Sequence, residues 1–195
     1  METPAERRAL RREIRRRRRS LSEPERREAA RALSACLART RWFLNSRTIA
    51  VYLPYDAEIG LSPLGERAWA MGKRTYLPRL FGRRLWFLPF HAGSVLAENR
   101  FSIPEPVMPA RCRIRPLFLD LVLFPLVAFD GRGNRLGMGG GYYDRTFEAV
   151  RRRNTWQGPK RIGVAYEIQR VEALPAAEWD IPLDAIVTDR AVRIP

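Results

Sequence analysis

The sequence predicts an α/β protein: a largely parallel, mixed sheet flanked by helices and preceded by an N-terminal helical pair. Three observations carry this prediction. From Thr48 onward short apolar runs alternate with helical stretches, the pattern of βαβ units. The segment Leu117 to Phe129, LFLDLVLFPLVAF, is apolar almost throughout, as a central strand covered on both faces must be. Upstream of Thr48, two segments each open on a helix-capping signal.

Thr3, Pro4 and Glu6 have the spacing of an N-cap, a first-turn proline and a capping-box glutamate, and predict a helix from Pro4 to Arg19. Its large apolar residues, Leu10 and Ile14, lie one turn apart, so the helix buries a narrow stripe and leaves Arg15 to Arg19 as a solvated or phosphate-attracting face. Ser22 with Glu25 starts a second helix whose Ala29, Ala32, Leu33, Cys36 and Leu37 form a wider apolar face. Strands are predicted at Thr48 to Leu53, Arg74 to Leu77, Leu85 to Phe90, Leu119 to Pro125, Arg161 to Ala165 and Ala185 to Thr188. Helices are predicted at Ser62 to Met71, ended by Gly72, and at Gly141 to Arg153. With 195 residues, 46% of them hydrophobic, the chain can bury one sizeable core. Residues 1–195 therefore read as a single domain, with the helical pair in 1–40 and the α/β core in 48–189.

Composition excludes several chemistries. His91 is the only histidine, which removes histidine triads and multi-histidine metal sites, and its FLPFHAG setting reads as a structural strand end. Cys36 and Cys112 are too few for a disulfide framework, lack metal-ligand spacing and read as buried thiols. No apolar run approaches the roughly 20 residues of a membrane helix. Met1 to Leu21 lacks a secretory apolar stretch, and Glu2, Glu6 and Glu13 argue against a transit peptide, so a cytoplasmic protein is expected. The net charge of +15 suits nucleic acid, an acidic membrane surface or a polyanionic small ligand. Lys73 and Lys160 are the only lysines among 36 basic residues, so part of the charge is discounted as a general preference for arginine.

The most informative stretch is DGRGNRLGMGGGYYD, Asp130 to Asp144, between the apolar central strand and a helix. Ligands of open α/β sheets gather beyond the carboxyl ends of strands, and glycines there let backbone N–H groups approach a phosphate at a helix N-terminus. The stretch fits neither GxxxxGK[ST] nor GxGxxG, so a plain turn is the competing reading.

Within it, RLGMGGGYYD, Arg135 to Asp144, resembles the nucleotide loop of the 5-formyltetrahydrofolate cyclo-ligase family, the methenyltetrahydrofolate synthetases. Four further segments agree in order and spacing: RRALR at Arg7 to Arg11, YLPYDAEI at Tyr52 to Ile59, NRFSIPEP at Asn99 to Pro106, and EWDIPLDAIVTD at Glu178 to Asp189. The resemblance implies ATP-dependent, magnesium-dependent closure of a ring on 5-formyltetrahydrofolate through a phosphorylated formyl group. It places ATP on Arg7, Arg11, Arg135, Leu136, Gly137, Met138, Gly139, Gly140, Gly141, Tyr142 and Tyr143, with the two tyrosines also at the catalytic position. It places the folate on Leu53, Glu58 and Phe101, and magnesium on Asp144 and Asp180. Some members carry an arginine and a lysine where this loop has Met138 and Gly140, and Arg7, Arg11 and Arg135 are expected to compensate. Without the resemblance, Glu58 and Asp180 read as ordinary loop carboxylates, and Tyr142 and Tyr143 as helix-start packing. The rival functions are an arginine-rich nucleic-acid binder, which lacks any helix-turn-helix, zinc or RNP signature here, and sugar-phosphate isomerisation or acyl-CoA transfer on the same fold. The Glu58 and Phe101 segments argue against the latter.

Overall fold

The computed structural model describes residues 3–152, 158–175 and 180–195. Both N-terminal capping boxes form, and start α1 (Pro4–Arg19) and α2 (Glu23–Ala38). A short α3 (Arg41–Asn45), capped by Thr40, leads into β1 (Thr48–Ala50). Then follow α4 (Ser62–Ala70), β2 (Arg74–Phe81), β3 (Arg84–Phe90), β4 (Leu96–Glu98), β5 (Pro104–Pro106) and β6 (Leu121–Pro125). The chain continues through β7 (Ala128–Phe129), β8 (Arg135–Leu136), α5 (Tyr142–Arg152), β9 (Lys160–Val164), β10 (Ala185–Val187) and β11 (Val192–Arg193).

Among the described residues the main sheet has seven strands in the order β11-β10-β9-β6-β1-β2-β3, so the apolar LVLFP strand lies at its centre as expected. β2, β1, β6, β9 and β10 run parallel, while β3 and β11 are antiparallel edges. Side chains alternate across β6. Leu121 and Leu123 join a core with Leu33 and Leu37 of α2, Phe43 of α3 and Leu64 of α4. Val122 and Phe124 face the other way, into a core with Phe87 and with Phe147 of α5. The connection from β1 thus crosses one face of the sheet and that from β6 the other. Strand order reverses between these two neighbours, where α/β sheets open a crevice beyond the strand ends.

Boundaries differ from the sequence reading for local reasons. β1 stops at Ala50 instead of Leu53 because the chain turns over the end of the sheet, although Val51 N still donates to Tyr76 O at 2.9 Å. β2 runs on to Phe81 because the hairpin about Gly82 (φ 57°) pairs it with β3 along its length. β6 begins at Leu121, after a 3-10 turn at Pro116–Phe118, and the Asp120 carboxylate accepts from Arg47 N and Thr48 N at 2.8 Å each. Unpredicted elements are α3, the β4–β5 and β7–β8 hairpins and β11, all too short to show a period. Cys36 and Cys112 are half-buried free thiols and not fully buried as expected. Arg153, the expected end of the last helix, and Glu178 and Trp179 of the EWDIPLD segment lie outside the described residues.

The expectation of a solvated arginine face on α1 holds for Arg16, Arg17 and Arg19, whose side chains are 78%, 51% and 58% exposed, and is corrected at Arg18. Arg18 is 0% exposed, and Arg15, Arg18 and Arg19, which share one helix face, converge on Asp56 in the loop after β1. Arg16 and Arg17 bond Glu13 one turn back, so the run finds its counter-charges within the chain. The buried stripe of α1 therefore continues from Leu10 and Ile14 to Arg18, with Ile14 packed among Val127, Ala128, Leu136 and Leu174. Asp56 and Ala57 both have positive φ (51° and 59°), a conformation that costs an L-residue about 1–2 kcal/mol. Arg18 holds this turn from inside: Nε and Nη2 donate to Asp56 O at 3.0 and 2.7 Å, and Nη2 reaches Oδ2 at 3.0 Å.

Two stability measurements test these contacts. Phe147→Ala should cost about 3–5 kcal/mol in urea denaturation, because the ring fills the space between α5, Phe87 and Phe124. Asp56→Asn, which tolerates the left-handed backbone and removes only the charge, should cost about 3–5 kcal/mol by stranding buried Arg18. The exposed pairs of Glu13 provide the contrast, with Glu13→Ala expected to change stability by about 0.5 kcal/mol or less. Equal costs at Asp56 and Glu13 would show that the buried cluster does not anchor α1.

Candidate active site

A cleft of about 860 Å³ opens beyond the carboxyl ends of β1 and β6. Its walls come from α1, the loop after β1, the β4–β5 hairpin, the glycine-rich segment before α5, and Asp180. Every residue assigned by the motifs lines this one cleft: Arg7 and Arg11; Leu53, Glu58 and Phe101; Arg135 to Tyr143; Asp144 and Asp180.

The glycine-rich segment is held from three directions. Arg11 Nε donates to Gly137 O at 2.8 Å, which ties α1 to the loop. Gly139 (φ 98°) lies against the Arg11 guanidinium, where a Cβ would stand 3.6 Å from Cζ. Gly141 (φ 61°) makes the final turn into α5, and a Cβ there would meet Arg145 Nη1 at 2.7 Å. Arg145 bonds Gly140 O through Nη2 and donates through Nε to Arg83 O at 2.8 Å, joining the loop to the β2–β3 turn. The N-terminus of α5, with its unpaired backbone N–H groups and positive dipole end, then opens directly after the glycines.

The cations are arranged differently from the sequence expectation. Arg135 is 8% exposed, bonds Asp144 and Ile181 O, and covers the Phe124 ring at 5.4 Å, so it is turned into the wall. Arg7, Arg11 and Arg15, at successive helical turns of α1, line the cleft instead, joined by Arg145. Asp144 Oδ1 also accepts from Ile181 N at 3.2 Å, which brings the Asp180 segment alongside, and Arg7 Nη2 stands 4.0 Å from Asp180 Oδ2. Among the described residues no group of three or more His, Cys, Asp or Glu side chains forms a metal cage. Asp144 and Asp180 carry the hard oxygen donors that magnesium takes, and in this structure they face Arg135 and Arg7.

Aromatic side chains link the loop to the rest of the cleft. Tyr142 meets Phe101 edge-to-face at 6.3 Å and accepts from Arg100 Nη2 at 2.6 Å. Tyr143 packs on Phe124 and Phe147, and burial pushes its phenol far above the ordinary tyrosine range, so it remains a hydrogen-bond donor at neutral pH. Glu58 is the unusual carboxylate. Its side chain is 9% exposed, Oε2 accepts from Tyr55 N at 3.2 Å, and Arg18 Nη1 stands 3.9 Å from Oε1. Burial raises its pKa to about 7, against the opposing pull of Arg18. The folded state therefore holds this proton more tightly than the unfolded chain, so Glu58 subtracts stability as pH rises from the ordinary glutamate range through 7.

Sequence reasoning missed Arg15, Arg145, Tyr52, Tyr55 and Glu105 as wall residues. The i, i+4 spacing from Arg11 to Arg15 was the one available signal. Glu105 accepts from Leu80 N and Asn99 Nδ2 through contacts between separate elements, which no local pattern announces. His91 is exposed beyond the end of β3 and does not line the cleft.

The family model for 5-formyltetrahydrofolate cyclo-ligases matches residues 3–189. A curated relative from Escherichia coli (strain K12), named 5-formyltetrahydrofolate cyclo-ligase, is 41% identical over 184 residues, covering 92% of this chain and 98% of its own. The NMR structure of 5,10-methenyltetrahydrofolate synthetase from Aquifex aeolicus superposes with a TM-score of 0.81 at 34% identity, over 96% of this chain and 92% of its own. The 5,10-methenyltetrahydrofolate synthetase from Mycoplasma pneumoniae gives a TM-score of 0.72 at 29% identity, over 94% and 99%. The resemblance read from the motifs is thereby borne out: the chain belongs to the 5-formyltetrahydrofolate cyclo-ligase family.

Proposed function

We propose that this cyclo-ligase family member converts 5-formyltetrahydrofolate to 5,10-methenyltetrahydrofolate with ATP and magnesium, releasing ADP and phosphate. One observation supports this reading above the others: the residues that the motifs assign to ATP, metal and folate line a single cleft at the point where strand order reverses. Because α1 and the α/β core both build its wall, residues 1–195 are read as one functional domain. No helix among the described residues is long and apolar enough to cross a membrane, and a cytoplasmic location is part of the proposal.

A formamide oxygen is a poor leaving group. In the proposed reaction the γ-phosphoryl group of ATP is transferred to the formyl oxygen. N10 then attacks the formyl carbon, the carbon–oxygen bond breaks, phosphate departs and N10 loses its proton. Such chemistry needs charge neutralisation and alignment more than a side-chain nucleophile. Arg7, Arg11 and the backbone N–H groups ahead of α5 bind the phosphates. Glu58 accepts from the pterin N–H groups, Phe101 and Leu53 pack against the ring, and Tyr142 and Tyr143 wall the reacting region. Magnesium, held by Asp144 and Asp180 together with phosphate oxygens, would supply further neutralisation of the triphosphate. The nucleic-acid reading loses its main support, since the Arg15 to Arg19 run is engaged by Asp56 and Glu13.

Incubation with ATP, magnesium and 5-formyltetrahydrofolate should give an ATP-dependent rise in the near-ultraviolet absorbance of the methenyl product, and no rise would sink the proposal. Arg11→Ala should lower kcat/KM for ATP at least tenfold, about 1.4 kcal/mol, while Arg17→Ala, on the far side of α1, stays near wild type. Equal kinetics in the two folded variants would remove Arg11 from the site. Glu58→Gln should weaken folate binding by about 1.5–3 kcal/mol with ATP affinity nearly unchanged. If the charged form of Glu58 receives the pterin, wild-type folate affinity is full above about pH 7 and falls about tenfold per unit below it. That slope should be absent from Glu58→Gln, and a persisting slope would assign the titration to another group.

A further inference from the structure

The motifs give α1 one functional face, that of Arg7 and Arg11; its interior face presents a second arrangement that they do not describe. The Arg18 side chain is 1% exposed, and its Nε and Nη2 groups are fully engaged by Asp56. Nη1 is buried without a hydrogen bond, and stands 3.9 Å from Glu58 Oε1. A guanidinium is planar and rigid, so the tether to Asp56 fixes where Nη1 points. Glu58 lines the cleft, whereas Arg18 does not. We propose that Arg18 is a positioning residue for the folate: clamped by Asp56, it holds the Glu58 carboxylate charged and oriented towards the cleft from behind. This rests on the reading of Glu58 as the pterin acceptor.

The other groups around Glu58 do not substitute for it. Asp56 opposes its ionisation, and Arg15 assists it more weakly than Arg18. The phenols of Tyr52, Tyr143 and Tyr166 are all raised by burial first and by Glu58 among other charges, so each stays neutral and supplies no positive charge. The Tyr55 N–H to Oε2 is a backbone donor that no side-chain substitution removes. Arg18 is thus the buried cation facing Oε1, and without it only the Tyr55 N–H and Arg15 oppose the effect of burial on Glu58.

The test is 5-formyltetrahydrofolate binding by calorimetry between pH 5.5 and 9, with ATP binding measured in parallel. In Arg18→Met the midpoint of the folate-binding profile should move upward by at least one unit. Affinity should then be about threefold weaker or more near pH 7.5, return to within about twofold of wild type by pH 9, and leave ATP affinity within twofold. A loss equal at every pH, or an unmoved midpoint, overturns the proposal, since a merely structural arginine would behave in that way. Wild-type folate affinity in Glu58→Gln would instead overturn the reading of Glu58, and this proposal with it. A weakened, pH-flat Glu58→Gln beside an unmoved Arg18→Met midpoint would leave Glu58 standing and remove Arg18 alone. Should Arg18→Met fail to fold, Arg18→Lys carries the test through a double-mutant cycle. Its folate-affinity loss should shrink to less than twofold in the Glu58→Gln background, and an undiminished loss overturns the proposal.

Discussion

Asp56 is the point on which the cleft depends. Its carboxylate and carbonyl accept from three arginines of α1, in a turn whose two central residues have left-handed backbone. Burial alone would raise the pKa of this carboxyl, but hydrogen bonds from Arg15 and Arg19 hold it below the ordinary aspartate range. The cluster therefore stays charged across neutral pH, and it sets two things together. It fixes the axial position of α1, hence where Arg7 and Arg11 enter the cleft, and it fixes the turn that presents Glu58 two residues later.

The glycine-rich segment is the complementary constraint. Its backbone turns tightly at Gly139 and Gly141, yet it is not left free, because Arg11 and Arg145 hold carbonyls on either side of Gly139. α5, which continues from it, is anchored by Phe147 between Phe87 and Phe124. The central strand thus reaches the site twice: Phe124 supports α5 and Tyr143 from below, and Pro125 ends the strand at the cleft. A rigid floor with polar groups held by second contacts is what alignment of reacting groups requires.

The central strand, the parallel core and both capped helices were legible because they rest on periodicity and capping, which are local. The β4–β5 and β7–β8 hairpins were not, since two or three residues of strand show no period and Leu96 or Arg135 pairs only because of what surrounds it. Within the site, the glycines and Asp144 could be read from one contiguous motif. Glu58 and Phe101 needed the family resemblance, as a single carboxylate or ring in a loop carries no signal of its own. Arg18 was misread for a physical reason: within an arginine run its polarity outweighed its place one turn beyond Ile14, and nothing local shows that Asp56 waits to receive it. Arg135 was expected among the phosphate cations and is instead in the wall, because Asp144 and Ile181 O claim its guanidinium.

The attachments of α1 also set an order of assembly. α1 precedes its partners along the chain: Asp56 follows some forty residues later, Gly137 lies 126 residues beyond Arg11, and Leu174, which packs with Ile14, comes later still. Until Asp56 has been made, α1 therefore carries a dense block of positive charge without that counter-charge. The wall of the cleft cannot be completed until the segment bearing Asp180 has been made.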